Sequence, residues 1–251
     1  MKLRNDKIIV FGGGSGIGLA IAKRLCSAGA TVLITGRSED KLILAKDMIG
    51  SDNLYTKVFD ITDYDYHLDL FSEAEKILGG LSGFVNSAAI GTGTYTGRGY
   101  EPWDITPEEW DALNETNFKA AFFLMRNEID YLLSKNIRGN ILNIASNAAC
   151  MKIIGSYGAA KSAIIKWTRA FGNQYGHNGI IINGIAPGAT LTPMISRYAH
   201  SMEQKYERHA IERFIHPDEI AELAFYLMSN YGEIICGHTV VADGGDNAAT
   251  L

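Results

Sequence analysis

Cysteine is scarce in this sequence, with only Cys26, Cys150 and Cys236 among 251 residues. The number is odd, the spacing is wide, and no two form a C-x-x-C pair, which argues against a disulfide framework or a structural zinc site. The six histidines show no metal-ligand spacing such as H-E-x-x-H. We therefore expect no bound metal and a reducing compartment.

Long hydrophobic runs and a strong excess of charge of one sign are also missing. No apolar run approaches the roughly 18–20 residues that a membrane-spanning helix needs. The first residues, Met-Lys-Leu-Arg-Asn-Asp, lack a charged and then apolar leader with a cleavage site. A net charge of -5 does not favour nucleic acid or an anionic membrane as a partner. These absences predict a cytoplasmic protein with no nucleic-acid and no membrane partner.

Short apolar, β-branched runs alternate along the chain with longer segments of helical period. Strands that are apolar almost throughout are typical of a sheet covered on both faces, and repeated β–α units predict a parallel, doubly wound sheet. The predicted strands span residues 7–11, 31–35, 54–60, 83–86, 139–145, 180–186 and 238–242. The predicted helices span roughly residues 16–28, 39–49, 64–78, 107–135, 157–176 and 217–229. We expect one domain over residues 1–251, with substrate loops around 90–106 and 188–216.

Two pairs of neighbouring acids have a structural interpretation. Thr106-Pro107-Glu108-Glu109 combines an N-cap threonine, a proline at the first helical position and a glutamate placed for a capping box. His216-Pro217-Asp218-Glu219 likewise puts proline and acids at a helix start, where the helix dipole favours them. These carboxylates are therefore interpreted as caps and not as catalytic or metal-binding pairs.

A glycine-rich turn follows the first predicted strand and opens the first helix. In Gly12-Gly13-Gly14-Ser15-Gly16-Ile17-Gly18, glycines permit a tight turn and close approach to a pyrophosphate, which the helix N-terminus would bind. The turn predicts a dinucleotide, although packing alone can also require glycines. It lacks the Gly-Lys-Ser/Thr of an ATP-binding P-loop.

The end of the second strand bears on which dinucleotide binds. An acid there would bind the ribose 2′-hydroxyl of NAD, whereas this chain has Gly36 followed by Arg37. An arginine suits a 2′-phosphate, so we expect NADP(H) in preference to NAD(H). Asp60, which closes the third predicted strand, is a candidate acceptor for the adenine amino group or simply a turn residue.

A tyrosine and a lysine lie one helical turn apart, at Tyr157 and Lys161. Positions i and i+4 share a helix face, and a nearby cation is expected to lower the pKa of the phenol toward the range useful for acid–base catalysis. Alone, such a pair is more often an ordinary amphipathic one. It is supported by Ser146, whose hydroxyl at a strand end can bind a substrate oxygen, and by Asn117, a polar amide in a long apolar helix that can also serve packing or bending.

Taken together, these motifs resemble those of the short-chain dehydrogenase/reductase family over essentially the whole chain. The matching positions are Gly12, Gly16 and Gly18, the segment Asn86-Ser87-Ala88-Ala89, the tetrad Asn117, Ser146, Tyr157 and Lys161, the pair Pro187-Gly188 with Thr192, and the segment Asp243-Gly244-Gly245. The resemblance implies a seven-stranded parallel sheet, a homotetramer or homodimer, and hydride transfer between a nicotinamide and a carbonyl or hydroxyl carbon. It further implies that Ser146 and Tyr157 hold the substrate oxygen, that Tyr157 exchanges its proton, and that Lys161 and Asn117 carry replacement protons. The expected cofactor contacts are Gly12, Gly14, Ser15, Gly16, Ile17, Gly18, Arg37, Asp60, Ile61, Asn86, Ala88, Tyr157, Lys161, Pro187, Gly188, Thr190 and Thr192.

The chain departs from the family pattern at three places. Phe11 stands where the family usually has threonine, and Ser87 and Ala89 replace a second asparagine and a glycine. Ser146 precedes Tyr157 by only eleven residues, about two fewer than usual, which leaves Asn147 as an alternative for the serine's place.

The predicted function is an NAD(P)(H)-dependent carbonyl reductase or alcohol dehydrogenase with a small-molecule substrate. The alternatives are a non-catalytic dinucleotide sensor on the same fold, sugar-nucleotide epimerase or dehydratase chemistry, and enoyl reduction. Sensors usually lose the tyrosine or lysine, epimerases are generally longer, and enoyl reductases usually space the pair more widely. Apolar pocket walls are expected from Tyr95, Tyr100, Trp103, Met151 and Met194.

Overall fold

A parallel sheet of seven strands forms the centre of the protein. The computed structural model describes residues 2–4, 6–91, 105–151, 155–196, 201 and 204–246. The strands occur in the order β3-β2-β1-β4-β5-β6-β7 and every pair is parallel. Their bounds are β1 Lys7–Phe11, β2 Thr31–Gly36, β3 Leu54–Val58, β4 Gly83–Asn86, β5 Asn140–Ile144, β6 Ile181–Pro187 and β7 Thr239–Ala242. The predicted doubly wound α/β fold is confirmed, with strand ends shifted by at most two residues.

Helices cover both faces of this sheet, which explains why the central strands are apolar throughout. One face carries α1 Gly16–Ser27, α2 Glu39–Ile49 and α7 Pro217–Leu227, and the other carries α3 His67–Leu78, α5 Ala121–Ser134 and α6 Ser156–Tyr175. A short helix, α4 Pro107–Asn114, precedes α5 and packs on α6. Both predicted capping boxes form, at Thr106 with Glu109 and at His216 with Glu219.

The prediction of one continuous helix over residues 107–135 is wrong in one respect. Residues Glu115–Ala120 form a π-helical segment between α4 and α5. A π segment contains one residue more than an α-helical path of the same span, and it changes the direction in which the following side chains point. Asn117 lies within it, and its amide is hydrogen-bonded to the backbone of Ile90, outside the helix. The segment thus brings a polar side chain to Ile90, in the stretch that follows β4.

The two predicted substrate loops lie partly outside the described residues. Tyr95, Tyr100 and Trp103 all fall in the range 92–104, which the structure does not describe. In the loop around 188–216, residues 197–200 and 202–203 are likewise outside it. None of the helices in the described residues has the length and apolar character that crossing a membrane requires.

Candidate active site

A cleft of about 860 Å³ opens at the carboxyl ends of the strands. It lies where the strand order reverses between β1 and β4, the position at which open α/β sheets bind ligands. Most of the residues predicted from the sequence as site residues line this cleft. They are Gly12, Gly14, Ser15, Gly16, Ile17, Arg37, Asp60, Ile61, Ala88, Ser146, Tyr157, Lys161, Pro187, Gly188, Thr190 and Thr192.

The glycine-rich turn has the geometry of a phosphate cradle. Gly12 adopts a φ of 75°, and a Cβ added to it would lie 2.7 Å from the Cα of Ala88, so that position requires glycine. An added Cβ on Gly18 would overlap the carbonyl oxygen of Gly12 and push α1 off the turn. Ser15 begins α1 without a side-chain cap, and no acid lies in the first turn. The N–H groups at this helix end are therefore available to an anion, as a pyrophosphate requires.

The far end of the cleft carries two cationic side chains. Arg37, directly after β2, has a half-exposed guanidinium whose Nη1 lies 4.0 Å from Oδ2 of Asp60. Asp60 lies two residues beyond β3, and its Oδ1 accepts hydrogen bonds from the backbone N–H and the hydroxyl of Thr62. Lys41, on the first turn of α2, also lines this end, although it is not among the residues predicted from the sequence. The sequence does offer a signal for Lys41, because it lies four residues after Arg37 in a helix that Ser38 caps.

Tyr157 and Lys161 both point into the cleft from the first turns of α6, as the i, i+4 spacing predicts. The Nζ of Lys161 lies 5.7 Å from the centroid of the Tyr157 ring and donates a 2.9 Å hydrogen bond to the carbonyl oxygen of Ile144. Lys161 is 3% exposed, and burial lowers its pKa to about 8.

The expected direction of the Tyr157 pKa shift is wrong for this structure. Burial raises the pKa of the phenol to about 12, and a hydrogen bond with the Ser146 hydroxyl opposes only part of that rise. The ammonium of Lys161 is directed at the Ile144 carbonyl, and the cost of burying a phenolate dominates. At neutral pH Tyr157 is therefore a phenol and can donate a proton.

Ser146 stands two residues beyond the end of β5, on the same wall as Tyr157. Its hydroxyl accepts a 3.1 Å hydrogen bond from the backbone N–H of Ala148, which orients the short turn that follows. Asn147 also lines the cleft, but its amide donates a 3.0 Å hydrogen bond to Asp246. The Ser146 hydroxyl lies near enough to the Tyr157 phenol to lower its pKa, whereas the Asn147 amide is engaged with Asp246, which favours Ser146 for the serine's place despite the short spacing.

Three predicted site residues lie behind the wall of the cleft. Gly18 packs on the glycine turn, as described above. Asn117 exchanges two hydrogen bonds with the backbone of Ile90, at 2.9 Å to its N–H and 2.8 Å to its carbonyl oxygen. The amide of Asn86 is directed at Glu128 and Asn143, within the interior of the protein. Their expected roles would therefore be exerted through neighbouring backbone.

The substrate side of the cleft mixes apolar and polar groups. Met151 and Met194, both predicted as walls, line it together with Tyr206 and Asp246, which were not predicted from the sequence. Asp246 is buried and accepts hydrogen bonds from Arg208 at 3.1 and 3.2 Å. It follows the Asp243-Gly244-Gly245 segment, and nothing in its sequence context indicates that it reaches the site.

The departure at Phe11 has a packing explanation. Its side chain is fully buried and lies against Phe59 and Phe71. The ring fills the core between β1 and α3, so this chain has apolar packing where a threonine would place a hydroxyl. The turn itself is held by the N–H groups of Gly12 and Gly13, which both donate to the carbonyl oxygen of Thr35.

Known proteins resemble this chain over nearly its whole length. Residues 12–247 match a family model described as enoyl-(acyl carrier protein) reductase. A 2,5-dichloro-2,5-cyclohexadiene-1,4-diol dehydrogenase of Sphingobium indicum is 30% identical, with 98% of each chain aligned. Gluconate 5-dehydrogenase of Gluconobacter oxydans is also 30% identical, over 97% of this chain and 95% of that one. A crystal structure of a dehydrogenase/reductase from Sinorhizobium meliloti 1021, 30% identical, superposes with a TM-score of 0.85 over 98% of this chain and 97% of that one.

Proposed function

Because the chain belongs to the short-chain dehydrogenase/reductase family of oxidoreductases, we propose that it is an NADP(H)-preferring carbonyl reductase or alcohol dehydrogenase. The observation that carries the proposal is the pairing of Tyr157 and Lys161 on one wall of the cleft with the Ser146 hydroxyl beside the phenol. The cofactor fits the cradle because α1 begins with uncapped N–H groups and Gly12 leaves no room for a side chain.

In the proposed reaction, the bound nicotinamide supplies or accepts the hydride. Ser146 and Tyr157 hold the substrate oxygen by hydrogen bonds, which aligns the carbonyl carbon. Tyr157 donates its phenolic proton to that oxygen during reduction and takes it back during oxidation. Lys161 supplies positive charge beside the phenol and, with Asn117, forms the route by which the proton is replaced.

The preference for NADP(H) rests on the cations at the adenosine end of the cleft. The Arg37 side chain is half exposed, and its ion pair with Asp60 is long, at 4.0 Å. Lys41 lines the same end of the cleft. A guanidinium and an ammonium suit a phosphate dianion better than a ribose diol. The end of β2 is Gly36, so the acid that would bind the 2′-hydroxyl of NAD is missing at that position.

The experiment that tests the proposal is a panel of ketones, aldehydes, secondary alcohols and enoyl thioesters, scored by consumption of NADPH and NADH. We expect turnover of a carbonyl or alcohol, and a Tyr157→Phe variant that loses about 10²–10⁴ of kcat, the range for a general acid. Tyr226→Phe, on α7, is the matched control and should retain activity. Cofactor binding without turnover on any substrate would instead favour a dinucleotide sensor, and turnover of enoyl thioesters alone would favour enoyl reduction.

We also propose that the chain forms a homotetramer or homodimer. The Phe118 side chain packs against Trp167, with the two ring centroids 4.9 Å apart, yet 41% of Phe118 is exposed to solvent. Phe122 extends this group on α5 at 5.1 Å from Trp167. Light scattering on a Phe118→Ser variant should show a smaller assembly, whereas Ile234→Ser, at a side chain 90% exposed, should not.

A further inference from the structure

Glu128 is a carboxylic side chain in the interior of the protein. It lies on α5 and is 0% exposed. Its Oε2 accepts a 3.0 Å hydrogen bond from Nδ2 of Asn86, while its Oε1 is buried and has no hydrogen-bond partner in the described part of the chain. A carboxylate is very costly in such surroundings unless it is paired. The resemblance to the family does not explain an acid at this position.

Asn86, at the end of β4, has the complementary deficiency. Its Nδ2 donates to Oε2 of Glu128 and, at 2.9 Å, to Oδ1 of Asn143, which uses both amide protons. Its Oδ1 is buried and lacks a donor among the described residues. One proton on the Glu128 carboxyl supplies the missing donor. The opposite orientation of the amide gives the same result, because it would place Oδ1 of Asn86 against Oε2 of Glu128.

The pair belongs to a line of hydrogen bonds beneath the active site. Asn143, on β5, donates at 3.0 Å to the hydroxyl of Thr168 on α6, so that the line joins α5, β4, β5 and α6. Asn143 directly precedes Ile144, whose carbonyl receives Lys161. Asn86 directly precedes the segment of Ser87 and Ala88, which lies closely against Gly12 of the cofactor cradle.

We propose that Glu128 is a positioning residue that acts as a carboxylic acid: it exchanges two hydrogen bonds with the amide of Asn86 and so fixes the end of β4 against the cofactor cradle. The carboxyl oxygen accepts from Nδ2, and the carboxyl proton is donated to Oδ1. Glu128 touches neither cofactor nor substrate, and it acts through Asn86. The parts of the test that measure NADPH binding and turnover depend on the proposed function, whereas the part that measures unfolding does not.

The surroundings favour the protonated form. Burial raises the pKa of Glu128 well above its usual range, and the hydrogen bond from Asn86 is the only opposing contribution. The titratable groups on the elements packed around it are engaged elsewhere. His67, on α3, is bound to the Ile61 carbonyl and to Asn127, and Lys161, on α6, is bound to the Ile144 carbonyl. Tyr131, on α5, lies beside Glu75, although its buried hydroxyl has no hydrogen-bond partner among the described residues, and Tyr157 lies near Ser146.

The test compares denaturant unfolding of the wild-type protein, Glu128→Gln and Glu128→Leu between pH 5 and pH 9. Glutamine has the same shape and carries permanently the donor that the acid needs a proton to provide. A raised pKa in the folded state means that the folded protein retains a proton which the unfolded chain releases above about pH 4.3. Relative to Glu128→Gln, the unfolding constant of the wild type should therefore rise by up to tenfold per pH unit until Glu128 ionises in the folded protein. The titrations of Lys161 and Tyr157 are common to both proteins and cancel in this difference.

Cofactor binding supplies the second measurement. Glu128→Leu fills the space but leaves Asn86 without its partner, so the Kd for NADPH, followed by quenching of protein fluorescence, should rise by at least fivefold. Glu128→Gln should bind NADPH and turn over substrate within about twofold of the wild type, as should the exposed control Glu222→Gln. The proposal would be overturned if the wild type and Glu128→Gln showed the same pH dependence of unfolding. It would also be overturned if Glu128→Gln bound NADPH as weakly as Glu128→Leu. If Glu128→Leu fails to fold, the comparison of the pH dependence of unfolding between the wild type and Glu128→Gln decides whether the proposal holds.

Discussion

The ammonium of Lys161 donates a hydrogen bond of 2.9 Å to the carbonyl oxygen of Ile144, two residues before Ser146. This contact joins α6, which carries the tyrosine, to the end of β5, which leads to the serine. The relative positions of the phenol and the hydroxyl are thus fixed by a buried cation. The same contact places an ammonium in an interior that lowers its pKa to about 8.

Replacing Lys161 with methionine should stabilise the protein and remove its activity. The pKa of Lys161 in the folded protein lies below the ordinary lysine value. At neutral pH the buried charge therefore lowers the free energy of unfolding by about 3 kcal/mol, which corresponds to the size of the pKa shift. Loss of the hydrogen bond from the ammonium to Ile144 costs about 1.5–3 kcal/mol, so a net gain of up to about 1.5 kcal/mol should remain. The measurement is denaturant unfolding at pH 7, together with kcat.

The pH dependence of that gain has a definite sign. Between pH 8 and about 10.4 the unfolded chain holds a proton that the folded protein has released, so wild-type stability rises with pH across this window. The advantage of Lys161→Met should shrink over the same range. An advantage that stays constant from pH 7 to pH 10 would contradict the lowered pKa. Lys166→Met, on the same helix, is the control for a general effect of the substitution.

The rates of reduction and oxidation should differ in their dependence on pH. Tyr157, with a pKa raised to about 12, is a phenol at neutral pH and is ready to donate a proton to a carbonyl oxygen. Alcohol oxidation needs the phenolate, whose fraction grows tenfold per pH unit below the pKa. We expect kcat/KM for oxidation to rise from pH 6 to pH 9 while that for reduction stays level, because the phenol remains protonated over this range. Equal slopes in the two directions would argue against Tyr157 as the group that exchanges the proton.

Arg37→Ala should reduce the affinity for NADPH and leave that for NADH nearly unchanged. Hydrogen bonds to charged groups contribute about 1.5–3 kcal/mol each, so a loss of one such bond corresponds to a rise of roughly 10–150-fold in Kd for NADPH. Both affinities can be measured by fluorescence titration. Arg138→Ala, at a side chain 72% exposed, is the control. An unchanged ratio of the two affinities would remove the basis for the NADP(H) preference.

Asn117→Ala should weaken both stability and catalysis. The substitution leaves the N–H and the carbonyl oxygen of Ile90 without the partners that they now have at 2.9 and 2.8 Å, at a cost of about 1–3 kcal/mol each when such groups stay dry. Asn114→Ala removes an exposed hydrogen bond to the Trp110 carbonyl and should cost less than 1 kcal/mol. Equal losses of unfolding free energy in the two variants would show that the Ile90 contacts contribute little.

The sequence was sufficient for features set by local pattern. Apolar strands, glycines after β1 and two capping boxes are encoded in neighbouring residues, and the fold and most of the cleft follow from them. What was missed depends on contacts between distant parts of the chain. Asp246 reaches the cleft through a bond to Asn147, which is 99 residues away. The direction of the Tyr157 pKa failed for the same reason, because burial is a property of the packed molecule and not of the i, i+4 spacing.

The π-helical segment also limits how the chain can change in length. In an α-helix each residue is rotated by about 100° around the helix axis relative to the residue before it. The π-helical residues Glu115–Ala120 therefore determine which faces of α4 and α5 are aligned with each other. With that alignment, Leu113 of α4 and Leu124 of α5 both face the interior. Because the π segment contains one residue more than an α-helical path of the same span, removing one residue there would give a regular helix with both of these faces still directed inward. A deletion in this segment should therefore be tolerated better than a deletion within α5, which would rotate the residues after it by about 100° relative to those before it.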